Sequence, residues 1–543
     1  MFVKITKSGK YEYAQLVQSY REDGQTKHKV VLNLGRLDHI AGNPSFQRLA
    51  VKLQELSGVK NRVDLNSISE GEIVNYGYTV YKKLFQSLGL EIILDEIQQQ
   101  GKARFSLSDS CFLMALQHLL EPRSKRGAYL NQQRYLQLPQ VDLNHLYRSL
   151  DTLHIHKEKL EDSLYYHHRT ILSMQVDVVF FDVTTFHFES VQADSLRDFG
   201  FSKNGKFNEV QVVMALMVDT EGRPIGYELF PGNTFESKTL ESALEKLEKR
   251  FGLRQVIIVA DRGINSKLNL KRIDERGYRY IVASRIRKMK KDLTQKLLDP
   301  KGYMEVPLDE EEGTFRYKVI EHVNELKENK EIYEIPERLV FTYSSKRAAK
   351  DRADRKRLIE KAHSLLTNQS KIKATNKRGG KKYLKEVGIQ NTWVLDENSI
   401  AKDEQFDGYY GLQTNDNTLT PQALLDAYHC LWKIEESFRV MKSTLEVRPV
   451  FHWTESRIKG HFVLCFLAFL LERTLELKLK NAGISVSPQR IREALNAMCF
   501  TKVNFDKDTF YIKTKGTELS NKILRVLKMK PPKNIAPAEE MVL

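Results

Sequence analysis

The sequence predicts an α/β protein built on a mixed sheet with covering helices. Three observations carry this. From residue 176 onward, strand-like and helical stretches follow in the order β-β-β-α-β-α-β. A strongly basic segment, residues 286–405, interrupts that order before a further strand and a long helix resume it. A short β-meander and a helical region precede the whole arrangement.

The meander comes first. Residues 11–17 and 28–34 are strand-like, with Asp23-Gly24 between them as a turn. Residues 71–170 read as helical. Leu107, Cys111, Met114, Ala115 and Leu119 form an apolar stripe at helical spacing, with Ser106 as N-cap and Asp109 in the first turn. The basic turn Pro122 to Arg126 follows and suits contact with duplex DNA. Then come the sheet strands at 176–184, 210–218 and 225–230, the last two joined by the turn Asp219 to Gly222. A helix over 237–250, a strand over 256–261, a helix over 266–275 and a strand over 280–283 complete the series.

The interrupting segment holds strand-like pieces at 316–319, 338–343 and 392–395. Its stretch Lys371 to Lys382 carries six basic residues and no acidic one. A strand over 407–414 follows, then one long helix beginning at Pro421, with Thr420 as N-cap. The expected divisions are 1–70, 71–170, 171–285, 286–405, 406–475 and a mixed C-terminal part, 476–543.

Composition narrows the function. A chain of 543 residues with 41% hydrophobic and 29% charged residues is folded, and its length suits three or four domains. The net charge of +16 favours a polyanionic partner. Cys111, Cys430, Cys465 and Cys499 form no C-x-x-C pair, which argues against zinc ribbons and disulfide frameworks. The longest apolar run, Phe462 to Leu471, is ten residues, too short to span a bilayer. A cytoplasmic protein without membrane contact is expected.

Three carboxylates stand out: Asp182 after the run Val178 to Phe181, Asp261 after Val256 to Ala260, and Glu435 within the long helix. A carboxylate at the end of a buried strand is costly unless compensated, and two or three together repel one another. A divalent cation resolves both problems. At about 100° per residue, Leu424, Tyr428, Leu431, Phe438 and Lys442 share the face of Glu435, so Glu435 is expected inside and Glu436 at the edge.

With these residues in place the chain resembles bacterial insertion-sequence transposases of the DDE class. The matching pieces are Phe181-Asp182-Val183-Thr184-Thr185, Val259-Ala260-Asp261-Arg262-Gly263 and Pro231 to Lys238. The family's Y-(2)-R-(3)-E-(6)-K helix signature is met by Tyr428, Glu435 and Lys442, with Leu431 at the arginine position. The resemblance implies an RNase H-like catalytic domain with a β-rich insertion. Asp261 and Glu435 are 174 positions apart, which leaves room for it.

By the same resemblance, Asp182 would bridge two Mg²⁺ or Mn²⁺ ions and Asp261 and Glu435 would each complete one. The implied reaction is cleavage at element ends and strand transfer into target DNA. The implied partner is double-stranded DNA, bound by a homodimer or higher oligomer that associates with the nucleoid.

Tyr428, Arg439 and Lys442, with Lys377, Arg378, Lys381 and Lys382 of the basic stretch, are the expected DNA contacts. His452, Arg457, Lys459 and His461 follow the catalytic helix and could also line DNA. The paired histidines His154/His156 and His167/His168 lack a further ligand at metal-site spacing. A catalytically silent DNA-binding protein would share the scaffold, but the presence of all three acidic positions argues against it. An RNase H-like nuclease shares the residues and differs in lacking strand transfer.

Overall fold

Alternation in the first residues builds three antiparallel strands, β1 (Phe2–Ser8), β2 (Tyr11–Glu22) and β3 (Gln25–Arg36), with β2 in the middle. Helix α1 (Pro44–Leu56) follows, its first turn capped by Asn43. The structure is a computed structural model. It describes the chain apart from residues 23, 59–70, 102–103, 172–177, 201–207, 250–256, 307–312, 329–330, 368–371, 373–378, 388–391, 448–449, 451, 506–507 and 542–543. Residues 1–72, 502–511 and 536–540 form one unit and the rest of the chain a second.

The second unit begins with helices α2 (Tyr78–Ser87), α3 (Leu90–Gln99), α4 (Leu107–Leu120), α5 (Lys125–Asn131), α6 (Leu143–Ile155) and α7 (Lys157–Ile171). Ser106 caps α4 as its sequence suggests, accepting from the Asp109 amide at 3.0 Å. Helix α4 is buried nearly all round, so it forms the middle of the helical region rather than its surface.

The sheet strands follow: β4 (Val178–His187), β5 (Gln211–Val218) and β6 (Pro224–Pro231), then α8 (Glu236–Lys249), β7 (Ile257–Ala260), α9 (Lys267–Glu275) and β8 (Arg279–Ala283). Strands β4, β7 and β8 run parallel, and β5 and β6 are antiparallel additions beside β4. Leu240, Ala243 and Leu244 of α8 and Leu270 and Ile273 of α9 cover one face, against Val179, Phe181 and Val183. The odd-numbered residues of β4 thus face these helices and the even-numbered ones the opposite side.

The interrupting segment is continuous with this sheet. After α10 (Lys291–Leu298) come β9 (Met304–Val306), β10 (Phe315–Glu328), β11 (Glu331–Ser344) and the helix α11 (Ser345–Leu366). A separate hairpin, β12 (Leu384–Val387) with β13 (Thr392–Leu395), and helix α12 (Glu397–Glu404) lead back to β14 (Tyr409–Thr414). Strand β11 pairs with β14 and β14 with β8. The result is a nine-stranded sheet in the order β9-β10-β11-β14-β8-β7-β4-β5-β6. Leu339 and Phe341 of β11 bury against Leu293 and Leu297 of α10, which ties the added strands into a core of their own.

The remaining helices are α13 (Pro421–His429), α14 (Trp432–Arg439), α15 (Glu455–Asn481), α16 (Pro488–Asn496) and α17 (Glu518–Val526). Helix α15 runs beneath the sheet, where Phe462 meets Phe186 of β4 at 5.2 Å between ring centroids. It also crosses α6 so closely that a Cβ at Gly460 would overlap the Leu150 carbonyl oxygen. Among the described residues no helix is long and apolar enough to cross a membrane.

The long helix expected from Pro421 is two helices. Thr420 and Pro421 start it as predicted, but the bonds Leu431 N–H to Tyr428 O and Lys433 N–H to Cys430 O span three residues instead of four. That tightening separates α13 from α14. A π-helical turn, Val440–Thr444, then closes α14.

Candidate active site

The parallel pairing of β4 with β7 ends at Phe181 opposite Ala260. Asp182 and Asp261 each follow that pair by one residue. The two carboxylates therefore start from neighbouring backbone positions, about 4.8 Å apart, the spacing of adjacent strands. Asp182 is half-buried and Asp261 exposed.

Lys442 belongs to the same face. Its ammonium donates to the Thr184 hydroxyl and stands 5.4 Å from the centroid of the Phe186 ring. Thr184 and Phe186 are two and four residues beyond Asp182, hence on its side of the strand.

Glu435 arrives on α14, which packs on β4. Tyr428, near the end of α13, places its hydroxyl 2.5 Å from that of Tyr410 on β14. Burial first, then Tyr410, and then the charges of Asp261 and Glu435 push the Tyr428 hydroxyl up. Tyr428 is thus a common neighbour of the second and third carboxylates. Asp182, Asp261 and Glu435 are not among the described groups whose ligand atoms all lie within 4.8 Å of one another.

Glu435 differs from the sequence expectation. It is exposed, whereas Glu436 is partly buried and contacts Arg473 of α15 at 3.4 Å. Leu424, Leu431 and Phe438 are buried, as that face requires, while Glu435, on the same face, is exposed. Leu431 is buried and apolar, so the arginine position of the signature presents no charge here.

Beside Asp261 opens a cleft of about 1550 Å³. Thr184, Asp261 and Arg262 line it from the sheet, Arg285 from just past β8, and Lys288 and Arg347 from the interrupting segment. Arg347 also lies 4.4 Å over the ring of Tyr410.

Comparison with known proteins agrees with this arrangement. The family model for the transposase DDE domain matches residues 175–471, more than half of the chain. The chain belongs to the DDE transposase family. The N-terminal domain model of IS1634 family transposases matches residues 3–61 as well. No curated protein matches the sequence.

Among solved structures, the piggyBac transposase synaptic complex with hairpin DNA is 9% identical, with a TM-score of 0.35 over 79% of this chain and 83% of that one. The Mos1 transposase paired-end complex with the left transposon end is 13% identical, with a TM-score of 0.15 over 33% and 60%. The Mos1 mariner paired-end complex with Mn is 12% identical, with a TM-score of 0.14 over 33% and 59%.

This protein is therefore an insertion-sequence transposase, an enzyme that cuts DNA at element ends and transfers strands to target DNA in a reaction that needs divalent metal. Of the expected DNA contacts in the transposase, Arg439 is exposed and Lys442 faces the carboxylate side of β4. Lys377 and Arg378 lie outside the described residues. Lys382 is engaged internally, paired with Asp403 and close to the Tyr383 hydroxyl, and Lys381 lies 5.2 Å over the Trp393 ring.

Of the transposase's post-helix cluster, one member is buried and two are in ion pairs near the surface. His461 is buried, with its Nε2 at 3.2 Å from the Val447 carbonyl, while Arg457 and Lys459 pair with Asp151 and Glu455. His118 of α4 meets His461 and Cys465 within 4.8 Å, and the buried Lys125 holds its amine 3.2 Å from His118 Nε2. The pair His118 and Lys125 lies more than 300 positions from the pair His461 and Cys465, and no local pattern announces their meeting. Helix α11, with eight Lys or Arg residues against three acidic ones, is a second basic element that the stretch at 371–382 overshadows in the sequence.

Proposed function

We propose that Asp182, Asp261 and Glu435 are the catalytic carboxylates of this transposase and that together they hold two Mg²⁺ or Mn²⁺ ions. The observation that carries this is the placement of Asp182 and Asp261 one residue past a matched pair on adjacent parallel strands. An all-oxygen, all-carboxylate donor set suits a hard cation that keeps water and substrate phosphate among its ligands. When bound, such ions supply Lewis-acid activation of the attacking and leaving oxygens.

The chain's own groups position the DNA. Lys442, on the Asp182 side of β4, holds a phosphate oxygen beside the scissile bond. Tyr428 and Tyr410 form a hydroxyl pair at the edge of the carboxylates, and burial keeps Tyr428 protonated so that it donates rather than ionises. Arg262, Arg285, Lys288 and Arg347 give the cleft beside Asp261 the charge to track a phosphate backbone. Arg439 contacts the duplex from α14. The substrate is double-stranded DNA, at element ends and at the target, bound by a homodimer or higher oligomer in the cytoplasm.

The test is end cleavage and strand transfer on DNA carrying the element ends. Asp182→Asn, Asp261→Asn and Glu435→Gln should each abolish both steps and leave DNA binding nearly intact. Robust Mg²⁺-dependent cleavage by any of the three would remove that residue from the site.

A further inference from the structure

Glu435 poses a positioning problem. It is exposed, so no core packing fixes its side chain, and a metal-binding carboxylate must be held within a fraction of an ångström of its working place. The residues around it on α14 are held instead. Lys433 donates from its ammonium to the Thr220 carbonyl in the turn between β5 and β6. Ser437 is fully buried. Glu436 reaches the Arg473 guanidinium on α15 at 3.4 Å.

Arg473 is the unusual member. Its side chain is only 8% exposed, and among the described residues its Nε and Nη2 have no hydrogen-bond partner. Its Nη1 lies between Glu436 and Glu476, at 3.4 and 3.1 Å. The guanidinium carbon sits 5.6 Å over Phe469 and 3.7 Å from the point where a Cβ on Gly222 would fall. Gly222 has φ +81°, so the turn passes flat over both Arg473 and Lys433 without a side chain. A buried arginine that leaves two nitrogens without acceptors adds little stability, and apolar packing would serve a plain helix contact better. What the arrangement does provide is a fixed rotation for α14 about its own axis.

We infer that Arg473 is a positioning residue for the third carboxylate: through Glu436 it sets the rotation of α14 that aims Glu435 at Asp182 and Asp261. The inference rests on the reading of Glu435 as a metal-holding residue. Arg473 itself touches neither the carboxylates nor the cleft. Its removal leaves the strand-borne pair, Asp182 and Asp261, in place and lets α14 turn.

The test measures end cleavage as a function of Mg²⁺ concentration for Arg473→Met, Arg473→Lys, Glu436→Ala and Glu435→Gln, with DNA affinity by gel shift and melting temperature alongside. Residues that orient a metal ligand change metal affinity or activity by about 10–100-fold. Arg473→Met and Glu436→Ala should each raise the half-saturating Mg²⁺ concentration by about tenfold, with DNA affinity unchanged. Arg473→Lys, which keeps a cation between Glu436 and Glu476, should recover part of that shift. Combining Arg473→Met with Glu436→Ala should be no worse than Arg473→Met alone, because both act through one contact.

A purely structural role would lower the active fraction and leave the metal curve in place; that result overturns the inference. If Arg473→Met fails to fold, an unshifted metal curve for Glu436→Ala overturns it instead. Glu435→Gln separates the two readings. Cleavage by that variant sinks the assignment of Glu435, whereas its inactivity beside unshifted curves for Arg473→Met and Glu436→Ala sinks only the positioning role.

Discussion

Replacing His118 with Gln should make the transposase less sensitive to acid, by an amount the structure allows to be worked out. His118 is buried, with Nδ1 2.8 Å from the Leu445 carbonyl and Nε2 3.2 Å from the Lys125 amine. Burial, and then the neighbouring Lys125 charge, lower its pKa to about 3. In the unfolded chain the same ring titrates near 6.5. Below that value the unfolded state takes up a proton that the folded state refuses. Stability from the neutral ring is therefore present above pH 6.5 and lost as the pH falls toward 3.

Between pH 7 and pH 5 the loss is close to 1.5 pH units at 1.36 kcal/mol each, about 2 kcal/mol. Glu472 and Glu476 work in the opposite sense, since burial raises their pKa values to about 8 and about 7. They are common to both proteins and cancel when the variant is compared with the wild type at each pH. His452 and His461, which burial also keeps neutral, cancel in the same way. Lys125, lowered by its own burial to about 8, is charged in both states below pH 7 and adds no slope there. The introduced amide keeps a donor for the Leu445 carbonyl and an acceptor for the Lys125 amine. Urea unfolding followed by circular dichroism at pH 7 and pH 5 gives the double difference. The His118→Gln variant should gain about 2 kcal/mol relative to the wild type on going to pH 5. A double difference near zero, or a loss, would show that His118 is not held neutral in the fold.

Other outcomes follow from single contacts. Lys442→Met should slow end cleavage by about 10–100-fold with little change in DNA affinity, since one fixed charge beside the reacting phosphate is lost; an unchanged single-turnover rate would place Lys442 outside the site. Gly460→Ala should destabilise the protein by about 1–3 kcal/mol, because α15 and α6 must part to admit a methyl group that would otherwise overlap the Leu150 carbonyl oxygen; an unchanged urea midpoint would refute that packing. Lys382→Ala should leave the salt dependence of DNA binding as it is and cost at most about 1 kcal/mol, because its charge is spent on Asp403; a flatter slope of affinity against salt would return Lys382 to the DNA surface.

Much of the catalytic sheet is legible in the sequence because its strands are buried on both faces. Val178 to Phe181 and Val256 to Ala260 read as apolar runs, and a charged residue directly after such a run is conspicuous. The added strands are harder to see whole. Strand β11 is largely exposed over its first half and buried over its second, so only 338–343 stands out from a strand of 14 residues. Nothing in the sequence shows that it extends the main sheet, since that depends on pairing with β14 some seventy residues later. The break between α13 and α14 is equally silent. His429-Cys430-Leu431-Trp432 contains neither glycine nor proline to mark it, and a 100° count, which places Leu424, Leu431 and Phe438 inside, gives no sign that Glu435 on their face is exposed.

The outward turn of Glu435 is compatible with its proposed work. Asp182 and Asp261 already share one end of the sheet, and a third carboxylate pressed against them without a cation would add to their repulsion. Exposed on α14, Glu435 is screened by water, and in that proposal a cation held by the three carboxylates would supply the opposite charge that lets them gather. The cost of gathering the three carboxylates would then be met at the moment of binding instead of in the folded protein. A helix that carries such a residue cannot be fixed by burying it, so it must be fixed by its neighbours. Lys433, Glu436 and Lys442 do this from the sheet turn, from α15 and from β4.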